Sequence, residues 1–262
     1  MKFDQDTAGS CATGPCALGT NTNNDPSSVF AINGVVYVGT KGSSPTGMYA
    51  LDFYRDRLQN FDSVDRTDGD KNIANRNTAV AYSANAITAL SIFSNVVNDV
   101  HGANMYGSSI TQTNGGPLNG NLFIAVATDD AAQVINMTSG KVLRYADGAT
   151  TDDINQVWVT RRGRLYLVNE TLAEVERYND IETSVANDAT PDDIWDEATG
   201  NLPNAFKTAP TIATTADALW VLERETYAES TADTAKADVI YVGHSLGMTE
   251  IHDVNAPSGE AA

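Results

Sequence analysis

The chain has 262 residues and a formal net charge of −18, from 34 acidic and 16 basic residues. A negative field of this size repels phosphate backbones and anionic surfaces, which argues against nucleic acid and lipid headgroups as partners. No stretch approaches the roughly 18 consecutive apolar residues of a transmembrane helix, so no membrane insertion is predicted.

The first part of the chain is predicted to be an irregular arm, residues 1–27, because Gly, Thr, Asn and Pro dominate it and no period appears. Met1-Lys2-Phe3-Asp4 leads into polar residues, so no secretion signal is visible. Cys11 and Cys16 are the only cysteines and favour a small disulfide-closed loop, which is typical of an oxidising compartment. Two free thiols are the alternative.

From Val29 onward, short apolar runs alternate with turn clusters, a pattern that is typical of β-strands. Asn33-Gly34 separates the predicted strands Val29–Ile32 and Val35–Gly39 and is a strong hairpin signal. The other predicted strands are Met48–Phe53, Thr78–Tyr82, Ile87–Phe93, Leu122–Ala127, Ala132–Met137, Lys141–Tyr145, Ile154–Thr160, Arg164–Val168, Leu172–Tyr178, Thr211–Thr214, Leu219–Glu223, Val239–Gly243 and Met248–Asp253.

Three polar, turn-rich stretches are predicted to be long loops: residues 54–77, 95–120 and 179–209. Within the third, Asp192–Ala198 could form one helical turn. The tail, residues 255–262, is predicted to be disordered. The sequence therefore predicts an all-β domain over residues 28–254, in which meanders of three or four strands recur about every 60 residues.

Two hairpins near opposite ends of the chain share one pattern. Ile240–Ile251 is an apolar strand ending in Gly-His, a turn containing Gly, and a second strand; Val36–Thr40 followed by Met48–Asp52 repeats this pattern. Both resemble the inner hairpin of β-propeller repeats, and Arg164–Asp180 resembles it more loosely. The resemblance implies a β-propeller-like array of antiparallel meanders and carries no specific activity. A β-sandwich is the alternative.

The sequence Gly243-His244-Ser245-Leu246-Gly247 resembles the nucleophile elbow of lipases and esterases, in which the serine attacks an acyl carbonyl. A helix must follow that elbow, but Met248–His252 alternates as a strand does. The acid and base should also follow the serine, and little chain remains there. We therefore interpret the motif as part of a hairpin and rank a serine esterase third among the functions.

Two other groups of residues are candidate binding sites. Several aspartates in the first long loop could coordinate Ca²⁺ through carboxylate oxygens, although their spacing is not that of an EF-hand. These residues are Asp62, Asp65, Asp68 and Asp70. A tryptophan on a polar loop, Trp195, and the basic residues Arg161, Arg162 and Arg164 are candidates for ligand binding, with pairing to nearby carboxylates as the alternative for the arginines.

These observations favour a non-catalytic, acidic binding or scaffold module that presents loops from a rigid β frame. Its expected location is extracellular, on a cell surface or in a virion, and its expected partners are protein or carbohydrate. The alternative is a β-propeller enzyme of glycosidase, lyase or lactonase type. Such an enzyme would use carboxylates, with Ca²⁺ as the one cofactor that the residues suggest.

Overall fold

A computed structural model describes residues 25–41, 47–55, 57–62, 66–68, 92, 94, 96–104, 122–146, 152–172, 174–179, 181, 187–196, 216–223, 238–244 and 247–252. These residues contain sixteen β-strands and no helix, and the strands form four antiparallel sheets. The all-β prediction is therefore confirmed.

The first two sheets contain nine strands. Sheet I comprises β1 (Asp25–Ile32), β2 (Val35–Lys41), β3 (Gly47–Asp52), β4 (Arg57–Phe61) and β5 (Arg66–Asp68). Sheet II comprises β6 (Val97–Asn104), β7 (Leu122–Thr128), β8 (Ala132–Asn136) and β9 (Lys141–Tyr145).

The last two sheets contain seven strands. Sheet III comprises β10 (Ile154–Val159), β11 (Leu165–Asn169), β12 (Glu174–Tyr178) and β13 (Asp193–Asp196). Sheet IV comprises β14 (Ala216–Leu222), β15 (Val239–His244) and β16 (Gly247–His252). In every sheet each strand pairs with its neighbour in sequence, so all four sheets are meanders.

The predicted Asn33-Gly34 hairpin is confirmed between β1 and β2. Asn33 and Gly34 both have positive φ angles, of 53° and 74°, which is the backbone that a two-residue type I′ turn needs. Gly140, before β9, and Gly163, before β11, also have positive φ angles, of 74° and 81°. Glycine and asparagine thus define the tight connections of the meanders.

The first strand of every sheet carries a β-bulge near its start, between the second and fourth residues of β1 and between the first and third residues of β6, β10 and β14. The register shifts lie at Pro26/Ser28, Val97/Asp99, Ile154/Gln156 and Ala216/Ala218. Positions counted from the bulge are therefore equivalent among the sheets. The residues four positions after the start of each shift are Phe30, His101, Trp158 and Trp220.

The sheets stack in chain order, and each new sheet places its first strand on the first two strands of the sheet before it. β6 contacts β1 and β2; β10 contacts β6 and β7; β14 contacts β10 and β11. Each interface has its own apolar cluster. Tyr37 and Ile124 lie in the cluster between sheets I and II, Leu143 and Leu165 in the second, and Val168 and Ile240 in the third.

The three predicted long loops are wrong in part, because each contains strands with polar sequences. β4 and β5 lie within 54–77, β6 within 95–120, and β13 within 179–209. β13 also replaces the helical turn that was predicted at Asp192–Ala198, because it pairs with β12. Gln59 and Asn60 of β4 are both buried, which shows why an apolar alternation did not mark the strand.

Other predictions lie wholly or mostly outside the described residues. Thr78–Tyr82, Thr211–Thr214 and the tail 255–262 lie wholly outside them, and of Ile87–Phe93 only Ile92 is described, outside any strand. The predicted arm also lies outside, except that residues 25–27 belong to β1.

Candidate functional site

Two of the three arginines predicted to bind a ligand contact carboxylates where sheets III and IV meet, Arg164 through its side chain and Arg161 through its backbone, whereas Arg162 is exposed. Arg164 Nη1 is 3.0 Å from Asp238 Oδ2, and the hydroxyl of Tyr166 donates to the same oxygen at 3.0 Å. Asp238 is fully buried. The backbone N–H of Arg161 donates to Glu223 Oε2 at 3.0 Å. Burial raises the pKa of the Glu223 carboxyl, and the hydrogen bond from Arg161 acts against that shift.

Trp195 does not lie on a polar surface loop as predicted. It is in β13, is only 7% exposed, and belongs to the core between sheets III and IV. Its ring lies 6.4 Å from that of Tyr166, centroid to centroid. Tyr166 thus contacts both Trp195 and the carboxylate that pairs with Arg164, and so links these two predicted residues.

The predicted calcium residues are only partly described. Asp62 follows β4, and its backbone oxygen accepts a hydrogen bond from Ile92 at 2.8 Å. Burial, with a smaller contribution from the charge of Asp62, raises the pKa of Tyr49 to about 12. Asp68 lies in β5 opposite Gln59. The remaining predicted residues, Asp65 and Asp70 for Ca²⁺ and Cys11 and Cys16 for the disulfide, lie outside the described residues.

Metal binding stays a prediction. In the part of the chain that the structure describes, no three His, Cys, Asp or Glu side chains group as metal ligands do. Within the same ranges, no helix is long and apolar enough to cross a membrane.

The esterase-like motif joins two paired strands. β15 ends at His244 and β16 begins at Gly247, and these two residues pair directly. Ser245 and Leu246 lie outside the described residues. The segment after the serine is therefore a strand, as the alternation of Met248–His252 predicted, rather than the helix that a nucleophile elbow requires.

A set of polar side chains at the edges of the first strands was not predicted from the sequence. Ser28 Oγ accepts from the N–H of Val100 at 3.2 Å, and Asp99 Oδ2 accepts from the N–H of Val157 at 3.2 Å. By the common bulge, Ser28 is equivalent to Asp99, and Val100 to Val157. The same type of hydrogen bond therefore joins sheet I to sheet II and sheet II to sheet III.

His101 supplies a further bond of this kind. Its Nδ1 accepts from the N–H of Val159 at 3.2 Å, and burial lowers the pKa of the imidazole to about 3. The uncharged ring packs between Phe30, at 4.7 Å, and Trp158, at 3.9 Å between centroids. The only signal in the sequence was the polar alternation of Asp99 and His101 in a stretch that was otherwise typical of a loop.

A second set of polar contacts lies near the start of β6 and β10. Asn98 Nδ2 is 2.9 Å from the backbone oxygen of Ile154 and also contacts Oδ1 of Asp129, at 3.0 Å, and of Asp153, at 3.1 Å. Burial, together with the charge of Asp129, raises the pKa of Asp153. The bulge residue Asn98 therefore also joins sheet II to sheet III.

No protein-family model matches the chain, and no curated protein matches it. Two solved structures that it resembles are extracellular domains from B. thetaiotaomicron. One, assigned to a hybrid two-component system, has 10% identity and a TM-score of 0.44, and the alignment covers 89% of this chain and 24% of that one. The other, assigned to a one-component system, has 13% identity and a TM-score of 0.28, with coverages of 91% and 36%.

The chain thus spans well under half the length of either structure.

Proposed function

We propose that this chain is a non-catalytic binding or scaffold module with a β-propeller-like architecture, which acts outside the cell, on a surface or in a virion. Its ligand is a protein or a carbohydrate. The loops between strands form the contact surface, because loops on a rigid β frame can vary without loss of the core.

The architecture supports the propeller-like part of this proposal. Four meanders follow one another, each has a bulge in its first strand, and each first strand packs on the preceding sheet. Radial stacking of short meanders is how propellers cover their sheet faces. A β-sandwich would instead bury its core between two facing sheets, whereas the described residues form three successive apolar interfaces.

The positions of the ionisable side chains are the observation that supports a non-catalytic function. An enzyme gathers an acid, a base and a binding group in one pocket. Here His101 caps an edge strand, the Arg164–Asp238 pair joins sheets III and IV, and Asp99 joins sheets II and III. Asp99 and His101 thus lie between sheets II and III, the Arg164–Asp238 pair lies between sheets III and IV, and each group makes a contact that joins two sheets.

A paired measurement of binding and turnover tests the proposal. The full chain is titrated by calorimetry with soluble neutral and cationic polysaccharides, and the same mixtures are assayed for new reducing ends, with Ca²⁺ and with EDTA. Lactone and ester substrates are assayed in parallel, and a fluorophosphonate probe tests Ser245. We expect saturable binding to at least one of the polysaccharides, with no turnover. Catalytic product formation, or labelling of Ser245, would overturn the proposal.

A further inference from the structure

The turn between β1 and β2 carries a side-chain pair that links sheet I to sheet II. Asn33 Nδ2 donates to Asn104 Oδ1 at 2.8 Å, and Asn104 Nδ2 donates to Asn33 Oδ1 at 3.1 Å. Asn104 is the last residue of β6, the strand that packs on β1 and β2. Two amide side chains therefore form a reciprocal pair across the two sheets, at a position that solvent reaches.

The glycine that follows Asn33 leaves its own backbone nitrogen accessible. Gly34 has no side chain, and both residues of the turn are exposed. In the described part of the chain the oxygen of Gly34 accepts a hydrogen bond from the N–H of Phe53 at 3.0 Å, whereas the nitrogen of Gly34 donates none. This nitrogen is therefore neither shielded by a side chain nor held by a hydrogen bond.

An asparagine that precedes glycine can lose its side-chain amide without an enzyme. The backbone nitrogen of Gly34 attacks Cγ of Asn33, and the new C–N bond closes a succinimide ring. The bond from Cγ to Nδ2 breaks, and Nδ2 leaves as ammonia with the proton that the Gly34 nitrogen gives up. Water then adds to one of the two ring carbonyls, and the ring opens to aspartate or to isoaspartate. Water is the only co-reactant, since nothing is oxidised or reduced.

We propose that Asn33 is a site of spontaneous deamidation, and that its pairing with Asn104 sets the rate in the folded chain. Ring closure requires Cγ of Asn33 to turn toward the nitrogen of Gly34, and this rotation breaks both hydrogen bonds to Asn104. Within the described residues the Asn33 side chain has no other hydrogen bond, so Asn104 is the group that holds it. The proposal does not depend on the proposed function.

Deamidation weakens the contact between sheets I and II. The carboxylate of the product has no N–H to donate to Asn104 Oδ1, so at least one hydrogen bond of the pair is lost. Isoaspartate also adds a methylene to the backbone of a two-residue turn, between the paired residues Ile32 and Val35. Each conversion adds a negative charge to the chain, so modified protein can be separated by anion exchange.

Peptide mass spectrometry of the full chain, aged at mildly alkaline pH, tests the proposal. Trypsin releases residues 3–41 as one peptide, in which Asn33 is the only asparagine followed by glycine. Asn104→Ala should speed the conversion of Asn33 about fivefold, as expected when two modest hydrogen bonds are removed. Asn136→Ala, which removes the side-chain acceptor of another turn, is the matched control and leaves the rate at Asn33 unchanged.

Thermal unfolding curves confirm that each variant folds, and ageing in guanidinium chloride gives the rate in the unfolded chain. There all three proteins should convert Asn33 at one common rate, faster than in folded wild type. Equal rates in folded wild type and folded Asn104→Ala, or equal acceleration by Asn136→Ala, would overturn the role of Asn104. No conversion of Asn33 in the unfolded chain would overturn the site itself. Modified protein that unfolds at the same urea concentration as unmodified protein would overturn the link between the sheets.

Discussion

At the scale of single residues, polar side chains connect neighbouring sheets. Ser28, Asp99 and His101 each accept a backbone N–H from the first strand of the next sheet. That strand has a partner on one side only, so without these acceptors its buried N–H groups would lose hydrogen bonds. The residue types alone do not reveal this role, because Asp and His at the surface of a loop would look the same in the sequence.

His101→Phe tests this role and its pH dependence. The pKa of His101 is lowered to about 3, so between pH 6.5 and 3 the unfolded chain binds more protons than the folded chain. Stability that depends on His101 is therefore lost as the pH falls through this window. At pH 7 the variant should be about 1–2 kcal/mol less stable than wild type, because Val159 loses its acceptor.

The comparison is made by urea unfolding at pH 7 and pH 4. Both proteins contain the same carboxylates, so the carboxylates contribute equally to the loss of stability. We expect wild type to lose more free energy of unfolding than His101→Phe between the two pH values, because only wild type has the His101 imidazole, which is protonated in the unfolded chain at pH 4. Equal losses in the two proteins would show that His101 does not titrate as a buried neutral imidazole.

Arg164→Met tests the ion pair between sheets III and IV. The change leaves the fully buried Asp238 without its arginine, and loss of one partner from a buried pair costs about 3–5 kcal/mol. Arg162→Met, on an exposed neighbour, is the control and should change stability by less than about 1 kcal/mol. Chemical unfolding of both variants gives the comparison, and equal effects would contradict a structural role for Arg164.

At the scale of strands and sheets, the sequence predicts the apolar hairpins well. Lys141–Tyr145 is a strand with the predicted bounds, and the Asn33-Gly34 turn is where its residues placed it. β4, β6 and β13 were missed because contacts with neighbouring strands and sheets, rather than an apolar alternation, place them. Trp195 was misplaced for the same reason: its polar surroundings in sequence predict a loop, but pairing with β12 buries it.

A pair of glycine substitutions tests the stacking of sheets I and II. A Cβ at Gly102 would lie 2.6 Å from Ile124 Cδ1 and 2.9 Å from Phe30 Cε1, whereas at Gly243, in sheet IV, its nearest neighbour would be Ala218 Cβ at 3.4 Å. Gly102→Ala should therefore cost about 1–3 kcal/mol of unfolding free energy, as overpacked cores do. Gly243→Ala should be neutral or slightly stabilising. Equal urea midpoints for the two variants would contradict close packing at Gly102.

At the scale of the whole molecule, the four meanders in the described part of the chain stack in chain order, and each has a bulge near the start of its first strand. The acidic, turn-rich composition and the repeated hairpins were sufficient to predict an all-β chain. They could not predict which polar groups would be buried between sheets, since that depends on residues far apart in sequence, such as Asp99 and Val157. Pairing with carboxylates was one interpretation of the arginines, but the partner of Arg164, Asp238, is also far away in sequence and could not be predicted.

Residue-resolved amide hydrogen exchange tests the central claim most directly, namely that each sheet caps the first strand of the next. We expect the amides of Val100, Val157 and Val159 to exchange slowly, at rates close to that of Leu167 in the middle of sheet III. Ala189, an exposed residue outside the strands, provides the fast reference. Exchange of the three valine amides at the rate of Ala189 would contradict the stacked arrangement.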